Sequence, residues 1–320
     1  MNSVNWPAVE QAVQEHLAAH YDLRGRLTRL PGENLNYRVR SKDEEQFVCK
    51  IIEQGTPGLA AADEQRLLAA ARTGGFPAEL PYIQKTNTRK YETGITIPLK
   101  GVWTLRLMNY VHGTVLENQS DISIKTLKNT GEMLARFDRA LTGFDHPSLH
   151  RTHRWDLAAA GRHREHLALI EKPAHRDLAV WAFQRWDAVR DELPALPRQV
   201  IHGDANPENL LTDGETITGL VDFGDSLFNP RVCEPAICIA YLMMGRDDPL
   251  AAAAAVVDGY ASVIDLDPVE RAVLLPLACG RLGVSVCVAA YRRTIDPGNA
   301  NWFVSLAPAL RLLEQLRETA

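Results

Sequence analysis

The chain has 320 residues, a formal net charge of -5, and 46% apolar against 23% charged residues. That length buries a sizeable core and favours about two domains, and the balance is that of a globular chain rather than a disordered one. Mild acidity without a basic stripe argues against a nucleic-acid partner.

Five cysteines, Cys49, Cys233, Cys238, Cys279 and Cys287, sit inside apolar segments and form no Cys-x-x-Cys spacing. They read as buried small hydrophobes in a reducing compartment rather than as disulfides or zinc ligands. The first residues lack a basic region followed by an apolar core, and no uninterrupted apolar run reaches the roughly 18 residues of a membrane span. The expectation is a cytoplasmic chain with no membrane partner.

In chain order, residues 7–20 read as an amphipathic helix opened by Pro7. Strands are expected at 26–30, 35–40 and 47–52, the first two joined through Pro31, Gly32, Glu33 and Asn34. Alternation puts Val48 and Lys50 on one face of the third strand and Phe47, Cys49 and Ile51 on the other. A helix at 59–72 stops at Gly74, Gly75 and Pro77. Weak strands near 82–84 and 94–98 precede a better one at 102–107. After residues 109–113 helical patterns dominate, at 121–141, 156–170, 175–192, 232–244 and 249–264. Asp267, Pro268 and Glu270 read as a capping box with proline at the first helical position. The helix they open runs to about Arg293 through Pro276, where a kink is expected, and a last amphipathic helix covers 302–317. These patterns predict a first domain over 1–108, an antiparallel sheet with one inserted helix, and a helical second domain over 109–320.

One stretch interrupts the helical half. Val200 and Ile201 lead into His202, Gly203 and Asp204, and Asn209 follows Asp204 at a spacing of five. A short apolar run, a turn at Asp213 and Gly214, and a second apolar run then end in Asp222, Phe223, Gly224 and Asp225. A loop bearing a carboxylate and an amide is thus followed by a hairpin that returns a second carboxylate. Phosphoryl transfer from a nucleotide needs such a set: Asp204 to take the hydroxyl proton, Asn209 and Asp222 to hold magnesium. His202 is expected to organise the loop. One histidine beside two aspartates also suggests a metal hydrolase, but no further histidine stands at ligand spacing on a helix. The pairs His150 and His153, and His163 and His166, fall in polar surroundings and read as solvated.

Upstream, Lys50 is the candidate phosphate lysine, with Glu64 on the following helix to orient it. The plain alternative is a solvated strand lysine. Gly32, Asn34 and Asn36 occupy the place of a phosphate-covering turn, although one glycine does not make a Gly-x-Gly-x-x-Gly pattern. Downstream, Asp225 and Glu234 either receive a cationic substrate group or cap the next helix and pair with Arg231. Trp155, Asn206, Tyr241, Arg281 and Tyr291 are further pocket candidates. Arg281 lies in an apolar helix and must find a partner if buried, whether a substrate or a buried acid.

Taken together, these motifs resemble the aminoglycoside phosphotransferase and choline-kinase-like group of small-molecule kinases. The likeness rests on residues 32–39, Lys50, residues 107–113, the run from His202 to Asn209 and the run from Val221 to Asp225. Residues 221–226, 234–237 and 279–291 look most like the hydroxylysine kinases, and homoserine kinases of the protein-kinase-like type are another relative. The resemblance implies an α+β protein-kinase-like fold with two lobes, ATP or GTP with magnesium, and transfer to a hydroxyl of a small, usually amino-bearing molecule. It implies that the base of the nucleotide meets the strand end at Met108, Asn109 and Tyr110, close to Val48. Gly203 stands where protein kinases carry arginine, and no Ala-Pro-Glu segment is present, which argues against protein substrates. A nucleotide-binding scaffold without phosphotransfer is the alternative class. Hydroxylysine, homoserine, small amino alcohols and aminoglycosides all remain open as acceptors, as do the choice of ATP or GTP and the oligomeric state.

Overall fold

A computed structural model describes residues 5–32, 34–56, 58–119, 121–298, 303 and 306–319. Glu33 of the expected phosphate-covering turn, and residues 302, 304 and 305 of the expected last helix, lie outside these described residues. The chain divides into two compact units. One holds the described residues up to Leu68 together with Leu80–Val111, and the other holds Ala69–Glu79 with the described residues from His112 onward. The excursion of Ala69–Glu79 into the second unit was not foreseen. Its causes are specific: Phe76 meets Phe137 edge to face at 5.4 Å, and Glu79 exchanges main-chain hydrogen bonds with Thr218 (2.7 Å) and Leu220 (3.1 Å).

The first unit is an antiparallel sheet of β1 (Gly25–Leu30), β2 (Leu35–Ser41), β3 (Gln46–Glu53), β4 (Thr93–Ile97) and β5 (Gly101–Asn109), in the order β1-β2-β3-β5-β4. Helix α1 (Trp6–Tyr21) is opened by the Asn5 side chain, which accepts from the Ala8 amide at 3.3 Å, with proline in the first turn. Its Val9, Val13 and Leu17, spaced at four, pack on Tyr37, Val39, Cys49, Ile51, Leu105 and Leu107. Strand alternation therefore sends Lys50 and Arg106, which are directly opposed across β3 and β5, to the other face, with Asn36 opposite Lys50 on β2. Helix α2 (Ala61–Thr73) carries Glu64. The weak strand expected near 82–84 reduces to a single bridge between Ile83 and Met108. Pro81 has no amide to give a ladder, and the Gln65 side chain takes the Ile83 amide at 2.8 Å.

The second unit is built on α3 (Ile124–Ala140), α4 (Pro173–Asp187), α5 (Cys233–Leu242), α6 (Pro249–Ala261), α7 (Pro268–Ile295) and α8 (Leu306–Glu318). The capping box at the start of α7 is formed in both directions, Glu270 amide to Asp267 Oδ1 (2.8 Å) and Asp267 amide to Glu270 Oε2 (3.1 Å). By length and composition α7 could cross a membrane, but 89% of its most apolar window is buried inside the protein, as befits a central core helix. The helix expected at 156–170 is instead a run of tighter 3-10 turns, Leu157–Leu169, broken at Ala159. Two small sheets complete the unit: β7 (Arg198–Ile201) with β10 (Leu227–Pro230), and β6 (Thr114–Val115) with β8 (Leu210–Asp213) and β9 (Thr216–Leu220). The hairpin β8–β9 turns at Gly214 as its sequence predicts, with positive φ there. The short strand β10, ending in a proline, was not foreseen.

Candidate active site

Strand β7 ends at Ile201 and the chain enters a loop that is braced from below. The Glu234 carboxylate, from the first turn of α5, accepts the main-chain amides of His202 and, at 3.4 Å, Gly203. Glu234 is 0% exposed, and burial pushes its carboxyl up to about 7 against the pull of those two donors. His202 is buried as well. Its Nε2 contacts the Val221 carbonyl at 2.9 Å and its Nδ1 accepts from the Asp204 amide at 3.2 Å, so the proton sits on Nε2 and the ring is neutral. Burial lowers its pKa to about 4. His202 thus joins the Asp204 loop to the hairpin end, as expected, with a neutral ring.

Asp204 is the most connected acid of the loop. Its Oδ2 accepts from Asn206 Nδ2 (3.0 Å) and Asn209 Nδ2 (3.2 Å), and its Oδ1 accepts from Arg281. A fifth of the side chain stays exposed (20%), so the carboxylate remains reachable. Burial raises its pKa to about 8; Arg281 opposes the shift, and Asp225 and Asp222 add to it.

Asn209 also donates from Nδ2 to the Asp204 carbonyl at 2.9 Å, which fixes the amide and leaves Oδ1 as the atom that could meet a cation. Asp222 follows β9 in a left-handed conformation (φ 63°, ψ 75°), costly for a residue with a side chain and characteristic of sites where geometry is imposed. Arg151 holds the turn after it, donating to the carbonyls of Gly224 (2.5 Å) and Ser226 (2.9 Å). Asp225 stands 3.5 Å from His153. Asp225 and Asp222 lie near enough to Asp204 to disfavour its charged form. No group of three or more His, Cys, Asp or Glu among the described residues could hold an ion. An amide oxygen and one carboxylate suit magnesium, which completes its shell with water and phosphate oxygens.

In the first unit, Lys50 lies on the sheet face shared with Val48, Arg106 and Met108. Glu64, buried at 2%, accepts from Arg106 Nη1, and Arg106 also donates to the Leu59 carbonyl at 3.1 Å. Glu64 thus pairs with the arginine directly opposite Lys50, a residue that the sequence alone had not marked out. Gly32 takes a positive φ of 131°, the conformation of a tight turn, and Asn36 ties that turn by donating to the Pro31 carbonyl at 3.4 Å. Asn34 begins the return into β2. At the end of β5, the Met108 side of the strand meets Ile83, Asn109 donates to the Tyr82 carbonyl at 3.1 Å, and the Tyr110 amide donates to the Gln46 carbonyl at 3.0 Å.

Two substrate candidates are corrected. Glu234 is sealed beneath the loop and cannot meet a substrate, and Arg231 pairs with Glu270 at 2.6 Å rather than with Glu234. Arg281, 1% exposed, has the partly exposed Asp204 carboxylate as its partner. Trp155 is half-buried with Arg281 over its ring at 4.7 Å, and Tyr291 stacks on His166 at 4.7 Å. His153 and His163, read as solvated, are buried, with pKa values lowered by burial to about 3 and about 4.

The chain is similar to known proteins in sequence and in fold. Hydroxylysine kinase of Mus musculus is 29% identical over 302 residues, spanning 86% of this chain and 79% of that protein. Homoserine kinase of Pseudomonas aeruginosa is 27% identical over 298 residues, spanning 88% and 87%. A microcompartment-associated aminopropanol kinase matches with a TM-score of 0.75 at 18% identity over 97% of this chain and 98% of its own. Amicoumacin kinase, in complex with AMP-PNP, Ca2+ and Ami, matches at 0.71 and 16% over 96% and 93%. These structures carry the expected α+β kinase-like fold. Residues 26–271 match the phosphotransferase enzyme family, and the chain belongs to that family.

Proposed function

We propose that this phosphotransferase moves the γ-phosphoryl group of ATP or GTP, with magnesium, to a hydroxyl of a small amino alcohol or hydroxy amino acid. The observation that carries the reading is Asp204, a reachable carboxylate tied through Asn209 to the candidate metal ligands. Asp204 takes the proton of the acceptor hydroxyl as its oxygen bonds to the γ-phosphorus. The bond from that phosphorus to the bridging oxygen breaks, and its electron pair leaves with the nucleoside diphosphate. Lys50 binds nucleotide phosphates, and Gly32, Asn34 and Asn36 form the turn that covers them. Val48, Met108, Asn109 and Tyr110 meet the base. Asn209 Oδ1 and Asp222 would hold magnesium, whose charge offsets that of the phosphates. Asn206, Asp225, Trp155 and Tyr291 form the acceptor side, where Asp225 suits an amine.

The names of the curated relatives, hydroxylysine kinase and homoserine kinase, support a hydroxy amino acid, and the aminopropanol kinase supports an amino alcohol. We extend the reading to a cytoplasmic enzyme, which the five free, buried cysteines support. A panel of hydroxy amino acids, amino alcohols and aminoglycosides, each with ATP or GTP and magnesium, tests it by phosphorus NMR. A phosphomonoester should form on one of the first two classes. Nucleotide binding with no transfer to any acceptor would favour a binding protein instead.

A further inference from the structure

Arg281 lies deep in α7, on a stretch from Leu277 to Ala289 in which every residue is buried and no other is charged. A guanidinium cannot discharge by losing its proton, so at 1% exposure it has to be paired. Three donors are used. Nε gives to the Tyr241 hydroxyl (3.1 Å), Nη1 to the Trp155 carbonyl (2.8 Å), and Nη2 to Asp204 Oδ1. The rings of Trp155 and Tyr241 lie 4.7 and 5.4 Å from its central carbon. Two neutral acceptors and two rings thus fix the plane of the group, and its remaining bonded nitrogen is aimed at one carboxylate oxygen. Asn206 and Asn209 hold the other oxygen. Without Arg281 the carboxylate keeps donors on one side only and is free to turn.

We propose that Arg281, clamped by Trp155 and Tyr241, is the positioning residue for the base Asp204 and acts on phosphoryl transfer only through that carboxylate. The proposal rests on the phosphotransfer reading above. A base must lie within hydrogen-bond reach of the proton it takes, and a misplacement of about 1 Å costs on the order of 100-fold in rate.

The test is a double-mutant cycle of Arg281→Met and Asp204→Asn, read both by turnover and by melting temperature. Arg281→Met should lower kcat by about 100-fold, with the KM for nucleotide changed less than about threefold. Arg281→Lys, which keeps the charge and loses the fork, should fall between. Added guanidinium chloride should restore part of the activity of Arg281→Ala, which a purely structural role would not predict. In the Asp204→Asn background, Arg281→Met should lower the residual turnover no further. Additive losses, or an unchanged kcat in Arg281→Met, overturn the proposal. Should Arg281→Met fold poorly, the melting cycle decides without activity: Asp204→Asn should recover most of its loss, since the carboxylate that lost its cation is then gone, and additive shifts overturn the pairing. A wild-type protein that transfers no phosphoryl group to any acceptor removes the phosphotransfer reading while leaving a non-additive melting cycle intact, so the two failures are distinguishable.

Discussion

A β-carbon on Gly203 would lie 2.6 Å from the carbonyl oxygen of Asp225 and 2.8 Å from the Leu227 side chain. Gly203 also holds φ at +80°, where other residues pay roughly 1–2 kcal/mol. The Asp204 loop is therefore packed at Gly203 directly against the turn after Asp222, with no room for a side chain. Gly203→Ala should destabilise the protein by about 2–4 kcal/mol, and Gly203→Arg should fold less well still. Denaturant melts check this; an alanine variant of wild-type stability would show that the approach can relax.

Glu234 is expected to be a brace. Glu234→Ala strips the His202 and Gly203 amides of their acceptor, at about 1–3 kcal/mol for each buried group left unpaired. Hydrogen exchange should quicken at those two amides, and turnover should fall without a selective rise in the KM for the acceptor. A selective KM effect would return Glu234 to the substrate side.

For Glu64 and Arg106, both side chains are almost wholly buried, at 3% and 6% exposure. Breaking such a pair on one side costs about 3–5 kcal/mol. Arg106→Leu should therefore be far less stable than the double variant Glu64→Leu with Arg106→Leu in urea unfolding. Equal losses in the two would mean that the pair contributes little.

His202 supplies a pH prediction. Its pKa is lowered from 6.5 to about 4 by burial, so between those values the unfolded chain binds a proton that the folded one refuses. Stability from this group is complete above pH 6.5 and is lost as pH falls toward 4. From pH 7 to pH 5 the wild type should lose about 2 kcal/mol relative to His202→Gln. Parallel stability curves for the two proteins would contradict a neutral His202.

What could be read from the sequence was whatever spacing expresses. Asp204, Asn209 and Asp222 stand at fixed intervals around a hairpin, and the hairpin formed where its turn residues put it. The face that Lys50 takes was legible because alternation on β3 sends Cys49 and Ile51 into the core. The same alternation on β5, with Leu105 and Leu107 inward, carried the signal for Arg106, since it places that arginine opposite Lys50. Partners distant in the chain were not legible. Arg281 stood out as a charge in an apolar helix, but its acid lies 77 residues away. Glu234 could be assigned to loop or substrate only once its burial was known, and the buried His153 and His163 looked solvated because their sequence neighbours are polar.

The central claim is that Asp204 takes the acceptor proton. Single-turnover transfer by Asp204→Asn, with magnesium and the nucleotide that the wild type uses, tests it most directly. Transfer should slow by about 100- to 10,000-fold while the Kd for nucleotide stays within a few-fold of wild type. Transfer within a few-fold of wild type would contradict the assignment of Asp204 as the base.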